Sequence, residues 1–402
     1  MKLIERMQYL DIMVALLDVP DIKVITGIRR CGKSALLLQF TERVQSVRQD
    51  VNIIRLNLDR HEAEPYLEYH RLYDFVESQY QEGRKNVVCI DEVQMCSGFE
   101  KAISWLHESG KYSLYITGSN AFLSASDLAT LFTGRTFEIP VFPFSFAEYC
   151  AYYPEYAPFD AFGNYLQEGG MPGAYLLPSQ QLRYQYVSSV FSTLIVRDIQ
   201  AKYHIRNVAL LQKVTDFLLD NVGNQTSLTS IAKQISVGNT METHQTIGKY
   251  ITYLERSFLF YKIPRYDVAG KKYLSTQEKY YLCDHVFRYA VHGRKNQDYG
   301  RVMENIVAIE LLRRGYEVYV GVLRSAEIDF IALRRDEKLY IQVCDDISHP
   351  ETFKREITPL LQIKDNYPKI ILTRTWHEPY DHEGVQICDL GGWLRQTGSR
   401  GP

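Results

Sequence analysis

The sequence predicts an α/β protein in which a parallel-sheet core comes first, a helical region follows, and a second α/β domain closes the chain. Three observations carry this. Gly27-Ile28-Arg29-Arg30-Cys31-Gly32-Lys33-Ser34 sets two glycines with four residues between them and ends in lysine and serine, between a β-branched run (Val24 to Thr26) and an apolar helical run (Ala35 to Phe40). Asn86 to Ile90 is a mostly apolar strand whose C-terminal end carries Asp91 and Glu92. Beyond residue 300, an amphipathic helix is followed by short strand-like runs, which resumes the α/β pattern.

The bulk properties are consistent with this. A chain of 402 residues has room for two or three domains. With 46% hydrophobic and 23% charged residues it reads as a globular protein, and a net charge of −2 excludes a uniformly basic surface, so any nucleic-acid contact must be local. Seven scattered cysteines form neither a zinc spacing nor a disulfide framework, which points to reduced thiols and a cytoplasmic setting. Nothing reads as a signal peptide or a membrane span, so no membrane partner is expected. The 30 tyrosines fit half-buried core positions, with base stacking as the alternative.

Taken in order, Gln8 to Leu17 reads as an amphipathic helix before the loop strand, Asn52 to Leu58 as a second strand, and Arg71 to Tyr80 as a helix. The glycines of the loop let the backbone approach phosphate, and the helix N-terminus adds positive potential. In that geometry Lys33 reaches the β- and γ-phosphates and Ser34 meets Mg²⁺. Adjacent strand residues face opposite ways, so Asp91 is expected to hold Mg²⁺ and Glu92 to polarise the attacking water. Ser113 to Thr117 is a further strand, after which Ser119 or Asn120 would sense the γ-phosphate or cap the next helix, Ser124 to Phe132. Arg135, after Gly134, is a candidate charge-stabilising arginine acting in cis or on a neighbouring copy; a plain surface arginine is the alternative.

These motifs, Thr26 to Ser34, Ile90-Asp91-Glu92-Val93-Gln94, Thr117-Gly118-Ser119-Asn120 and Gly134-Arg135, continue through Phe142 to Phe146 and Gly169-Gly170-Met171-Pro172. Together they resemble the AAA+-like P-loop ATPases of bacteria and archaea that carry a C-terminal domain of uncharacterised function. The resemblance covers nearly the whole chain. It implies an ATP-binding site with Mg²⁺ at Ser34 and Asp91, with Gly27, Ile28, Arg29, Arg30, Cys31, Gly32, Lys33, Ser34, Ala35, Ser119 and Asn120 around the nucleotide. Glu92, Lys33 and Arg135 are its implied catalytic groups. The paired arginines of the loop are typical of that family and are given no chemistry of their own.

Prolines 140, 143, 154 and 158 mark the end of the core, which sets an ATPase domain at 1–150. Tyr184 to Lys202 reads as one long helix. Leu210 to Asn221, Ser227 to Ile235 and Thr243 to Ser257 read as three helices before two hairpin strands, Leu259 to Ile263 and Lys272 to Leu274. That is a winged-helix pattern over a region of 151–275, with His244, Gln245, Lys249 and Arg256 as its polar DNA readers. From 276 to 390, Glu304 on a helix, Asp329 on one strand and Gln342 on the next resemble the metal site of PD-(D/E)xK nucleases. Cys344 stands where that pattern needs lysine, so the site reads as degenerate, and Asp345 and Asp346 are possible substitutes. Residues 391–402, rich in glycine, read as a flexible tail.

The expected function is thus a Mg²⁺-dependent ATPase whose nucleotide state is coupled to the appended domains, with DNA and a second copy of the chain as possible partners. The alternatives are a nucleotide-regulated DNA-binding protein or nuclease, and a switch or scaffold that binds ATP without hydrolysing it.

Overall fold

A computed structural model describes residues 3–118, 131–132, 134–235, 244–268, 270, 272–293, 299–323 and 326–396. The chain divides into two compact units: Met1–Val141 with Leu194–Lys202, and Phe142–Thr193 with Tyr203–Pro402.

The first unit is built on strands β1 (Ile22–Thr26), β2 (Val51–Asn57), β3 (Lys85–Asp91), β4 (Tyr112–Thr117) and β5 (Thr136–Pro140). They form one sheet in the order β2-β3-β4-β1-β5, and every pairing is parallel. β1 and β4 are buried along their whole length, as strands covered on both faces must be. Helices α3 (Tyr69–Ser78) and α4 (Phe99–Glu108) bring Leu72, Val76, Ile103 and Leu106 to one face, against Val88, Ile90, Leu114 and Ile116. On the rest of the sheet Phe40 of α2 (Lys33–Val47) meets Tyr115 with ring centroids 4.3 Å apart, and the Tyr115 hydroxyl donates to Met13 O of α1 (Met7–Ala15) at 2.7 Å. Fully buried Lys23 on β1 donates to Val19 O and Ser113 Oγ at 2.8 and 3.0 Å, and burial lowers its pKa to about 8.

The expected helix over 184–202 changes character part-way. α5 (Phe146–Tyr152) and α6 (Pro158–Glu168) precede α7 (Gln180–Thr193); after Thr193 the chain winds as a π-helix over Leu194–Ile199, then as one α-helical turn, Gln200–Tyr203. This winding buries Leu194, Ile195, Asp198 and Ile199 along one side.

In the second unit α8 (Val208–Asp220), α9 (Leu228–Ile235) and α10 (His244–Arg256) occur where three helices are expected, and strands β6 (Phe260–Asp267) and β7 (Lys272–Leu282) follow as a hairpin. The hairpin is no isolated wing. β6 pairs in parallel with β8 (Glu317–Val322), and both strands belong to an eight-stranded sheet. Its other members are β9 (Glu327–Arg334), β10 (Glu337–Cys344), β11 (Lys369–Thr373), β12 (Tyr380–His382) and β13 (Val385–Asp389), in the order β12-β13-β11-β10-β9-β8-β6-β7. A boundary at 275/276 therefore falls inside β7, in the irregular stretch between Leu274, which pairs with Arg265, and Lys279, which pairs with Ile263. α11 (Val286–His292), α12 (Tyr299–Arg313) and α13 (Pro350–Leu361) complete the layer.

The tail expected from 391 begins as α14 (Leu390–Arg395). Asp389 caps it by accepting from Gly392 N at 2.5 Å, Trp393 and Leu394 are buried, and Arg314 lies 4.1 Å over the Trp393 ring. A capped helix with a buried tryptophan outweighs the glycine content that suggested disorder. Tyrosine serves the core as well: Tyr115, Tyr149, Tyr281 and Tyr340 are among the largest fully buried side chains.

Candidate functional site

Parallel pairing puts the C-terminal ends of β1, β3 and β4 on one edge of the first sheet. Ile25 pairs with Thr117, and Ile90 with Ile116, so the phosphate loop, Asp91 and Thr117 leave the sheet at one level. β4 separates β1 from β3, which sets loop and acid roughly 10 Å apart. Such a strand-order reversal is where open α/β sheets bind ligands.

The loop takes the conformation its glycines allow. Gly27 has φ +134 and Gly32 φ +103, and Arg30 joins them in the left-handed region at φ 62. A Cβ on Gly27 would stand 2.0 Å from Val141 O, so this glycine is required by the backbone passing β5 as much as by phosphate. Cys31 is buried, its N–H donates to Ile28 O at 3.2 Å, and its carbonyl accepts from buried Arg6 Nη1 at 3.2 Å. Lys33 Nζ donates to Gly27 O at 2.8 Å and Ile28 O at 3.2 Å. Ser34 is exposed in the first turn of α2, a turn with no acidic residue to offset the positive helix end.

Asp91 ends β3 and is buried, and the partners that hold it are neutral. Asn57 Nδ2 at the end of β2 donates to Oδ2 at 2.7 Å, and Thr117 Oγ1 at the end of β4 donates to Oδ1. The same hydroxyl accepts from Glu92 N at 3.1 Å. Strand alternation does not orient Glu92, because the strand has already ended: Glu92 is left-handed, φ 56 and ψ 48, and opens a 3₁₀ turn. Its carboxylate accepts from Gln94 Nε2 at 2.5 Å. Sequence reading had no role for Asn57, Thr117 or Gln94; only strand order reveals that the ends of β2 and β4 flank Asp91. A glycine-turned loop at a helix N-terminus, a lysine, a serine hydroxyl and a carboxylate held by neutral donors suit a nucleoside triphosphate with Mg²⁺. Bound Mg²⁺ would supply charge neutralisation at the phosphates, with Ser34 and Asp91 as its protein ligands.

Comparison with known proteins agrees with this geometry. Residues 19–150 match the model of the AAA domain, and residues 159–298 match a domain of unknown function, DUF8612. An uncharacterized protein of Haemophilus influenzae is 36% identical over 98% of this chain and 99% of its own length. The chain belongs to its family. An uncharacterized protein of Methanocaldococcus jannaschii is 25% identical over 84% of this chain and 77% of its own. Among solved structures, AMPPCP-bound DnaA from Aquifex aeolicus covers 63% of this chain and 89% of its own, at 13% identity and a TM-score of 0.32, too low to bear on function. Within the family, then, this chain carries a P-loop nucleotide-binding domain of the AAA type. Among the described residues no helix is long and apolar enough to cross a membrane.

Three expectations for this AAA domain fare differently. Ser119 and Asn120 lie outside the described residues. Arg135 immediately precedes β5, level with Ile22 at the start of β1, whereas the loop follows the end of β1. Five residues of strand, about 16 Å, separate them, so Arg135 does not act on its own chain's loop. Its exposed guanidinium pairs with Glu108 at 3.1 Å.

In the second unit Glu304 and Asp329 both act on Lys279, a lysine that sequence reading overlooked, and Gln342 is bonded to the backbone of Asp329. Lys279 Nζ on β7 lies 2.8 Å from Glu304 Oε1 and 2.7 Å from Glu327 Oε1, and the Tyr281 hydroxyl donates to Glu304 Oε1 at 2.8 Å. Burial alone would lower the Lys279 pKa, but Glu304, Asp329 and Glu327 hold it above its ordinary value. Burial, then Glu304, push the Asp329 carboxyl well above the usual carboxylate range against the pull of Lys279. Gln342 accepts from Asp329 N at 3.3 Å and donates to Glu356 at 2.8 Å. Cys344 is buried and its thiol is pushed up to about 11, chiefly by burial. Asp345 pairs with Arg374, and Asp346 caps Ser348, so neither joins the cluster. No set of three or more His, Cys, Asp or Glu residues has a metal-holding arrangement among the described residues.

Proposed function

We propose that the chain is a Mg²⁺-dependent ATPase whose nucleotide state is passed to the second unit. The observation that carries this is Asp91, a buried carboxylate at the same sheet edge as the phosphate loop, oriented by the neutral side chains of Asn57 and Thr117. Lys33 would exchange the carbonyls of Gly27 and Ile28 for phosphate oxygens, and Ser34 and Asp91 would hold the metal. Glu92, once released by Gln94, would accept a proton from the attacking water. Hydrolysis assays test this. Lys33→Ala is expected to weaken nucleotide binding roughly 10- to 100-fold or more, and Glu92→Gln to keep binding while slowing hydrolysis about 10²- to 10⁴-fold. Unchanged hydrolysis in both variants would refute the assignment.

DNA is the partner we infer for the second unit. His244, Gln245 and Lys249 stand exposed on α10, the third helix of a winged-helix-like trio. Labelled duplex should bind with a salt-dependent affinity that Lys249→Ala reduces; binding that ignores salt and this substitution would remove α10 from the interface. Arg135, too far from its own loop, is left to a neighbouring copy of the chain, and nucleotide-dependent self-association measured by mass would support that role.

A further inference from the structure

The phosphate loop carries a second anchor besides its lysine. Arg29 Nη1 lies 3.4 and 3.3 Å from the two carboxylate oxygens of Asp198. Asp198 is only 8% exposed and sits within the π-helix Leu194–Ile199. A buried carboxylate deprived of its counter-charge is strongly destabilised, so the pair holds this segment as long as it is made.

Two further features make the contact a point of transmission. Leu194–Lys202 belongs to the first unit, yet Thr193 before it and Tyr203 after it belong to the second, so the segment is joined at both ends to the other unit's chain. A π-helix is also a winding that occurs mostly as a single turn within α-helices, often at functional sites, and a one-residue register shift converts it to α. On the loop side, Lys33 Nζ is bonded to Gly27 O and Ile28 O, the two carbonyls immediately before Arg29. A phosphate that draws the ammonium away from those carbonyls frees the peptide units on which Arg29 is carried.

We propose that Arg29 and Asp198 form a latch that nucleotide opens: binding at the loop takes Lys33 from Gly27 and Ile28, Arg29 leaves Asp198, and segment 194–202 loosens. The inference rests on the ATPase reading and names the element through which nucleotide state leaves the site. Linkage sets its sign, since a ligand that breaks a contact binds more tightly when the contact is already gone.

The test uses the full chain with Mg²⁺ and a non-hydrolysable ATP analogue. Amide hydrogen exchange in peptides covering 194–202 is expected to quicken about fivefold or more when the analogue binds. Asp198→Asn should exchange quickly there without nucleotide and bind a fluorescent ATP analogue about fivefold more tightly than the wild type. Exchange that stays the same or slows with bound analogue overturns the latch and leaves the ATPase reading standing, as does an Asp198→Asn chain that folds and binds no more tightly. A wild type that binds no analogue overturns both. If Asp198→Asn fails to fold, as far-ultraviolet circular dichroism would reveal, the wild-type exchange comparison alone decides.

Discussion

Two groups of acids, one in each unit, are handled in opposite ways. Asp91 and Glu92 are held by Asn57, Thr117 and Gln94, which are neutral donors. Glu304, Glu327 and Asp329 surround Lys279, whose ammonium ion-pairs directly with the two glutamates. A neutral donor fixes where a carboxylate points and leaves its charge for a ligand, whereas a lysine within 3 Å cancels the charge on the spot. Residue type alone therefore does not make an acidic site; what the acids already face does.

The contrast can be broken or sharpened by experiment, and the largest effect is expected at Lys279. Lys279→Met keeps the length of the side chain and strands three carboxylates, and should destabilise the second unit by about 3–5 kcal/mol. Equilibrium denaturation measures it, and a loss below about 1 kcal/mol would mean that the cluster is not held by its lysine. Thr117→Val ranks next. It removes the hydroxyl that bridges Asp91 and Glu92 N at nearly constant volume, so hydrolysis should fall roughly 10- to 100-fold with nucleotide affinity little changed, and Thr117→Ser should restore it. Steady-state kinetics over a Mg²⁺ series checks this; equal rates in Thr117→Val would deny that the hydroxyl orients the acid.

The smallest effect is on pH dependence. The folded Asp329 carboxyl titrates above its unfolded counterpart, so the folded chain binds more protons across that interval and stability falls as pH rises through it. Asp329→Asn should flatten this decline from about pH 4 upward. Identical stability-pH curves for the two proteins would remove Asp329 from the account. Lys23 is the opposite case: its pKa is lowered to about 8, so its contribution to stability should increase between there and its unfolded value near 10.4, and Lys23→Met should abolish that increase.

What could be read from the sequence was what neighbours in the chain specify. Gly27 to Ser34 between a β-branched run and an apolar helix, and an acidic pair after Val87 to Ile90, are local patterns, and both elements occur in place. Asn57 and Thr117 could not be found that way, because their partnership with Asp91 depends on β2 and β4 both lying beside β3. Lys279 escaped for a similar reason. The nuclease-like pattern directs attention to position 344 on β10, and the lysine comes instead from β7, the edge strand four places away in the sheet order. Glu92 was misread in direction only, since a left-handed non-glycine residue at a strand end has no signature in a single sequence.

The excursion of residues 194–202 into the first unit bears on how this protein can be taken apart. A fragment cut to residues 19–150, the span of the AAA domain match, would lack the Asp198 that faces Arg29, the Arg6 that holds the Cys31 carbonyl, and the Met13 carbonyl that accepts from Tyr115. Such a fragment keeps every strand of the first sheet and loses three of the contacts that brace its loop and core. Poor solubility or weak nucleotide binding in the excised piece would then report the missing braces and say little about the intact chain.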